Sequence, residues 1–452
     1  MNNKNYRQEI DGLRAVSVLV IIFFHLKIAA FQGGFIGVDI FFVVSGYLIT
    51  QIIVSNLGAG SFTFRDFYLR RTARILPALI AMIVFVLPVA MYLQQPAALI
   101  HTAQESLYAL ASVSNFYFWT EANYWAPSAD KFVLLHTWSL GVEEQFYLVY
   151  PLLLVASHRI GGTRGVITLL LIIFVGGTIA SEIVLQTDRS AAFYFTPLRF
   201  YEFALGGLAA TLPGLKLFQQ SRGFSATATL VGIGLILYGA ITFHGQVSLP
   251  GVTMLVPLVG AVLILLAGPS PSARILLMNP IMSQLGKISY SLYLTHWPII
   301  VFYRAYFGAD LSVQEQVALL CVILVASVAL NRGVERRFRL APNGNKTAAG
   351  TSSRTVLISV VTAASVAALT CIALIILKGW PSRMPDEARE LMNINPMADT
   401  IRRMKFLEKN CVPRGEIFCG ERQPGKTNIL LLGDSRATDI YIALKTAYPE
   451  AN

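Results

Sequence analysis

The chain has 452 residues, of which 55% are hydrophobic and only 13% charged, with a mean hydropathy of +0.59. Ordinary globular chains carry about 25% charged residues, so this composition excludes disorder, collagen, coiled coil and a plain soluble enzyme. It reads as a polytopic α-helical membrane protein. The net charge of +11 comes without a basic stripe interleaved with aromatics. That sets nucleic acid aside as a partner and points to the inside-positive bias of membrane proteins.

Apolar runs near the length of a span fall at 12–30, 35–56, 75–95, 138–156, 166–185, 198–212, 224–242, 251–267, 289–307, 313–330 and 355–377. The run at 198–212 is short. Residues 97–118 read as helical but polar (His101, Gln104, Glu105, Ser106), which predicts a re-entrant or interfacial helix. Glu9 and Asp11 interrupt the first charged region and no small-residue cleavage site follows, so the first run is expected to stay as a membrane helix. With the N-terminus inside, the cytoplasmic segments hold 18 Lys and Arg. The outer loops hold five: Lys27, Lys131, Arg189, Arg199 and Arg304. This bias sets the orientation, and the odd helix count sends residues 379–452 outside. The expected layout is a ten-helix membrane domain at 1–340, a flexible basic cytoplasmic linker at 341–354, a further membrane helix at 355–378, and an exported tail.

Ionisable groups inside a membrane are costly, so each is a functional candidate. Arg14 and His25 are eleven residues apart, which places them on one helix face roughly 16 Å apart along the axis. Asp11 lies one turn before Arg14 and could pair with it. His25 and Asp39 sit seven residues either side of the FQGG turn, so a hairpin brings them to similar depth. An Asp–His pair there would orient the imidazole; a hydrogen-bonded structural His is the competing reading. Glu143 and Glu144 lie about two turns deeper than His136. At least one of these adjacent carboxylates must face an internal cavity or hold a proton, with packing against another helix's Arg as the alternative. Ser289, Tyr293 and His296 share a face by i, i+4, i+7 spacing, where an interfacial anchor is also possible. Arg70, Arg71 and Arg74 follow Arg65 in a basic loop. Arg71 and Arg74, one turn apart at a helix start, suit a phosphate clamp as well as a topological signal. The cluster Arg332, Glu335, Arg336, Arg337 and Arg339 reads as a topological stop.

Five stretches, EIDGLRAVSVLVIIFFH, GGFIGVDIFFVVSGYLIT, RRTARILP, HTWSLGVEEQFYLVYP and SYSLYLTHWPI, together resemble the acyltransferase-3 family of bacterial inner-membrane O-acyltransferases. They occur in the family's order across residues 9–340. The resemblance implies transfer of an acyl group, usually acetyl, from cytoplasmic acyl-CoA to a hydroxyl of an extracytoplasmic glycan such as O-antigen or lipopolysaccharide, with no metal. It implies that Arg14 and His25 are the family's essential intramembrane pair and that Arg71 and Arg74 are its Arg-x-x-Arg motif, contacting the CoA phosphates. Asp39, Glu143, Glu144 and His296 receive no individual role from it. Direct attack with His25 as base and an acyl-His intermediate both stay open. The polar helices alone also fit a transporter or flippase of an acyl or glycan carrier.

In the tail, Cys411 and Cys419 are expected to form a disulfide if they lie outside the cytoplasm; a zinc site would lack ligands. The segment NILLLGDSRATDIYIALK reads as strand, sharp turn and helix. Its Gly433–Asp434–Ser435 resembles the first block of SGNH/GDSL hydrolases, with Ser435 as nucleophile. Arg436 stands where that family commonly has His, and no His follows His296, so the triad is incomplete and the tail reads as the beginning of an α/β domain. GERQPGKT at 420–427 fits the P-loop pattern formally, but a strand follows it where a helix should, so it is set aside.

Overall fold

The apolar runs fold as helices; α3 (Phe64–Leu93), α9 (Arg222–Thr242), α14 (Val313–Leu330) and α16 (Ser353–Ile376) open on polar caps, and α6 (Thr137–Thr187) breaks at glycine. A computed structural model describes residues 6–122, 131–211, 221–244, 250–308, 310–340, 347, 350–386 and 389, with the backbone of 411–414 and 416–419. In chain order the helices are α1 Gln8–His25, α2 Gly37–Gly58, α3 Phe64–Leu93, α4 Pro96–Leu110, α5 Ser114–Ala122, α6 Thr137–Thr187, α7 Arg189–Tyr194 and α8 Phe200–Thr211. They continue as α9 Arg222–Thr242, α10 Leu255–Ala267, α11 Pro271–Leu276, α12 Pro280–Lys287, α13 Ser289–Phe307, α14 Val313–Leu330, α15 Arg336–Phe338 and α16 Ser353–Ile376. Thr63 caps α3 by accepting from Asp66 N, and Ser312 with Glu315 forms a reciprocal capping box at α14. Such caps are worth about 1 kcal/mol each.

Six helices among the described residues are long and apolar enough to cross a membrane: Gly34–Gly58, Phe64–Leu93, Thr137–Thr187, Arg222–Thr242, Val313–Phe338 and Ser353–Ile376. The count of ten is not reached on that measure. α1 carries Glu9, Asp11 and Arg14, α13 carries His296 and Arg304 among its polar residues, and α8 and α10 have only 12 and 13 residues. α6 runs through the two spans expected at 138–156 and 166–185. Gly161 (φ −136°) and Gly162 (φ 56°) break it between them, the second in a region that favours glycine. The polar stretch at 97–118 becomes α4 and α5. Glu105 of α4 is buried and accepts the Leu134 backbone N–H at 2.6 Å, so it fixes the segment leading into His136. A π-turn at Asn331–Glu335 closes α14 and turns Glu335 inward, where Ser291 and Asn331 donate to it at 2.8 Å. Glu335 thus belongs to the interior rather than to a solvated stop signal. Neither Arg199 nor Arg304, both counted as outer-loop cations, is solvated: each is buried.

α2 packs most extensively against α8, and α16 lies against α3 and α4. A Cβ added at Gly46 would overlap the Phe203 carbonyl, and one at Gly206 would overlap that of Val43. Gly46→Ala or Gly206→Ala should therefore lower the thermal midpoint in detergent, with an overpacking cost of about 1–3 kcal/mol. Gly58→Ala, where a methyl meets open space, is the control and should leave it unchanged.

The chain divides into two units, 1–379 and 380–452. In the second, β1 Cys411–Arg414 pairs antiparallel with β2 Glu416–Cys419, and the register sets Cys411 opposite Cys419. Antiparallel partners have Cα atoms about 4.5–5.5 Å apart, within the span of a disulfide. Asp434 and Ser435 lie outside the described residues.

Candidate active site

A cavity lies among α1, α2, α3, α6 and α13. Arg14 of α1 and Arg71 and Arg74 of α3 supply its positive charge. The three-residue spacing of Arg71 and Arg74 puts both on one face of α3. None of the three makes an ion pair within 4 Å among the described residues, so their charge is available to an anion. Arg71 instead rests on Tyr147 and Phe67, with its guanidinium carbon 5.2 and 5.8 Å from the ring centroids. Arg70 does not line the cavity. Asp11, expected beside Arg14, accepts from Tyr6 instead.

The two adjacent glutamates diverge. Glu143 lines the cavity and accepts from Ser45 and Tyr147. Glu144 is outside the lining and accepts from Ser112 of the α4–α5 turn. Successive residues on a helix point about 100° apart, so one carboxylate faces the cavity while the other braces a neighbour. The apolar wall is built by Val38, Phe41, Phe42, Leu48, Ile49 and Leu140. The remaining polar lining is Ser45, Ser139, Ser289, Tyr290 and Tyr293. The Ser289 hydroxyl is buried without a hydrogen-bond partner among the described residues.

Tyr293 joins this cavity to a histidine cluster. Its hydroxyl donates to the His136 carbonyl at 2.8 Å and lies 2.6 Å from Ser139 Oγ. Its ring is 5.6 Å from that of His136 and 5.4 Å from that of His296. His296 Nε2 lies 2.9 Å from His25 Nδ1. Trp297 covers His25 at 4.5 Å between centroids and donates its indole N–H to Phe132 O at 2.8 Å. The shared face expected for Ser289, Tyr293 and His296 is therefore inward: all three are buried, and none serves as an interfacial anchor. His136 is buried too, with neither ring nitrogen hydrogen-bonded among the described residues.

Asp39 does not meet His25. It pairs with Arg199, whose Nε is also 2.9 Å from Glu202 Oε1. The depth expected from the hairpin says nothing of direction, and α2 turns Asp39 the other way. Gly37 faces Ser17 of α1, and two residues on, about 200° around the helix, Asp39 faces α8. It shares that face with Gly46, seven residues later. The guanidinium of Arg199 also lies 5.5–5.7 Å from the rings of Phe42, Trp138 and Phe193. Arg199 and Glu202 escape a sequence reading because they fall at the edge of the shortest apolar run. The one signal for them is Asp39 itself, an acid in an apolar helix that needs a cation.

Residues 7–332 match the acyltransferase domain of the acyltransferase-3 family. O-acetyltransferase OatA of Staphylococcus aureus (strain NCTC 8325 / PS 47) is 31% identical over 356 residues, 76% of this chain and 58% of that protein. YrhL of Bacillus subtilis (strain 168), provisionally named a peptidoglycan O-acetyltransferase, is 33% identical over 312 residues, 66% of this chain and 49% of that protein. BcsY of Komagataeibacter xylinus, provisionally named a membrane-bound transacylase, is 31% identical over 336 residues, 74% of this chain and 83% of that protein. The chain thus spans about half the length of OatA and YrhL. No solved structure matches. On the extent of the domain match, the chain belongs to the acyltransferase-3 family.

Proposed function

We propose that the protein transfers an acyl group, acetyl by analogy with OatA, from cytoplasmic acyl-CoA to a hydroxyl of a cell-envelope glycan. The observation that carries this reading is the joining of the cavity with Arg14, Arg71 and Arg74 on its wall to the histidine cluster through Tyr293. Phosphates suit unpaired arginines. The roughly 16 Å rise from Arg14 to His25 is within reach of an extended pantetheine arm, and the apolar wall at Phe41, Phe42 and Leu140 suits its passage. His25 takes the proton of the acceptor hydroxyl as the oxygen attacks the thioester carbon. The C–S bond breaks, the ester forms, and the proton on His25 passes to the leaving thiolate. The reading places the chain in a bacterial cytoplasmic membrane, with its N-terminus inside and residues 379–452 outside, where the glycan is. The Cys411–Cys419 bridge and Ser435 then belong to the exported side.

The first test is donor titration in membranes supplied with acetyl-CoA and envelope glycan. Arg71→Gln and Arg74→Gln should each raise KM for acetyl-CoA about tenfold and leave kcat within about twofold. That split is expected of contacts equally strong in ground and transition states. An unchanged KM in both variants would remove the arginines from donor binding.

A further inference from the structure

The hydrogen bonds of the histidine pair determine where its protons lie. His296 Nδ1 is 2.7 Å from the Tyr293 carbonyl oxygen and 3.2 Å from that of Leu292. A carbonyl only accepts, so Nδ1 of His296 must carry a proton. In a neutral imidazole the other nitrogen is then an acceptor. That nitrogen, Nε2, lies 2.9 Å from His25 Nδ1, so His25 Nδ1 must donate. The rings are 16° from parallel with centroids 5.1 Å apart. At that separation the bond runs edge to edge in a common plane, as an N–H···N bond requires, rather than between stacked faces. His25 is thereby left with a bare Nε2, which makes no hydrogen bond among the described residues, on a half-buried side chain.

We propose that His296 is a positioning residue that holds His25 in the Nδ1-protonated tautomer, so that the Nε2 lone pair faces the acceptor hydroxyl as a general base. The role normally filled by a carboxylate, fixing one ring nitrogen through the other, is here filled by a second imidazole. That imidazole is fixed in turn by the backbone of its own helix. This rests on the acyltransferase reading for what the base does, but the tautomer itself follows from geometry alone. His296 sits one turn from Tyr293, so the residue lining the cavity also supplies the carbonyl that sets the relay. The charged and titratable groups facing His25 are His296, His136 and Arg304. Among the described residues no carboxylate is one of them.

The test uses the full chain in lipid nanodiscs with ring-¹⁵N histidine. The sequence has six histidines, and the His25 signals are those lost in His25→Gln. In the wild type His25 should show a protonated Nδ1 and a bare Nε2. His296→Leu removes the acceptor and should return His25 to a mixture rich in the Nε2-protonated form. His296→Gln, whose amide oxygen accepts, should keep the wild-type pattern. With acetyl-CoA as donor, His296→Leu should lower kcat by about 10²-fold or more with KM for acetyl-CoA within about twofold. His296→Gln should recover to within about tenfold of wild type. A wild-type His25 protonated on Nε2 overturns the proposal, because His296 would then be donating. So does an unshifted His25 tautomer, or a wild-type kcat, in His296→Leu. The spectrum needs no turnover: if no variant, wild type included, transfers acetyl, the functional reading fails while the spectrum still decides the tautomer.

Discussion

A deletion strain complemented with His25→Ala should carry envelope glycans without detectable O-acetyl groups, while wild type at matched protein level restores them. Loss of a general base costs about 10²–10⁴-fold, enough to take the acetyl signals below detection by NMR of purified polysaccharide. The expectation is specific to His25 because of its place. It is the last residue of α1, it is half-buried, and its Nδ1 is already committed to His296. Alanine leaves α1 intact, since alanine is a good helix former, and the cavity lining does not include residue 25. Donor binding and folding should persist while transfer stops. Wild-type acetylation in His25→Ala would rule out His25 as the base. Identical glycans in the deletion strain and the wild type would favour transport over transfer.

The parts of this site legible in the sequence were those that depend on one helix. Arg14 and His25 share a face of α1, Arg71 and Arg74 share a face of α3, and Ser289, Tyr293 and His296 share a face of α13. Each follows from 100° per residue. The pairings between helices were not legible. Spacing from a turn gives depth but not azimuth, so Asp39 and His25 were matched in height and then found on different sides of α2. Azimuth is set by where glycine lets two backbones close up, and at α2 that is Gly46 against Phe203. Arg199 was misread as a loop cation because a positive-inside tally treats every arginine beside an apolar run as solvated. The helix count differs for a related reason. α1, α8, α10 and α13 are too polar or too short to register as independent spans, and they are packed among neighbours that are long enough.

Arg199→Leu should lower the thermal midpoint in detergent by about 6–10 °C, the largest stability effect among the substitutions considered. Arg199 is 1% exposed, with Asp39 at 3% and Glu202 at 0%. Removing the cation leaves two buried carboxylates without their partner, and breaking a buried pair in this way costs about 3–5 kcal/mol. At about 2 °C per kcal/mol for a larger domain, the shift follows. The cost should arise from the stranded acids rather than from a loss of attraction, and a second variant separates the two. Replacing all three residues, Arg199→Leu with Asp39→Leu and Glu202→Leu, removes the stranded charge and should recover most of the midpoint, because apolar side chains often replace buried ion networks at little cost. The ion triad also ties α2 to α8 beside Phe42 and Trp138, and Phe42 is part of the cavity wall. If the triple variant regains stability and acetyl transfer together, the triad holds the wall and nothing more. If stability returns and transfer does not, the charges themselves act on the cavity through Phe42 and Trp138. An Arg199→Leu midpoint equal to wild type would mean that the three groups are not held together in the membrane.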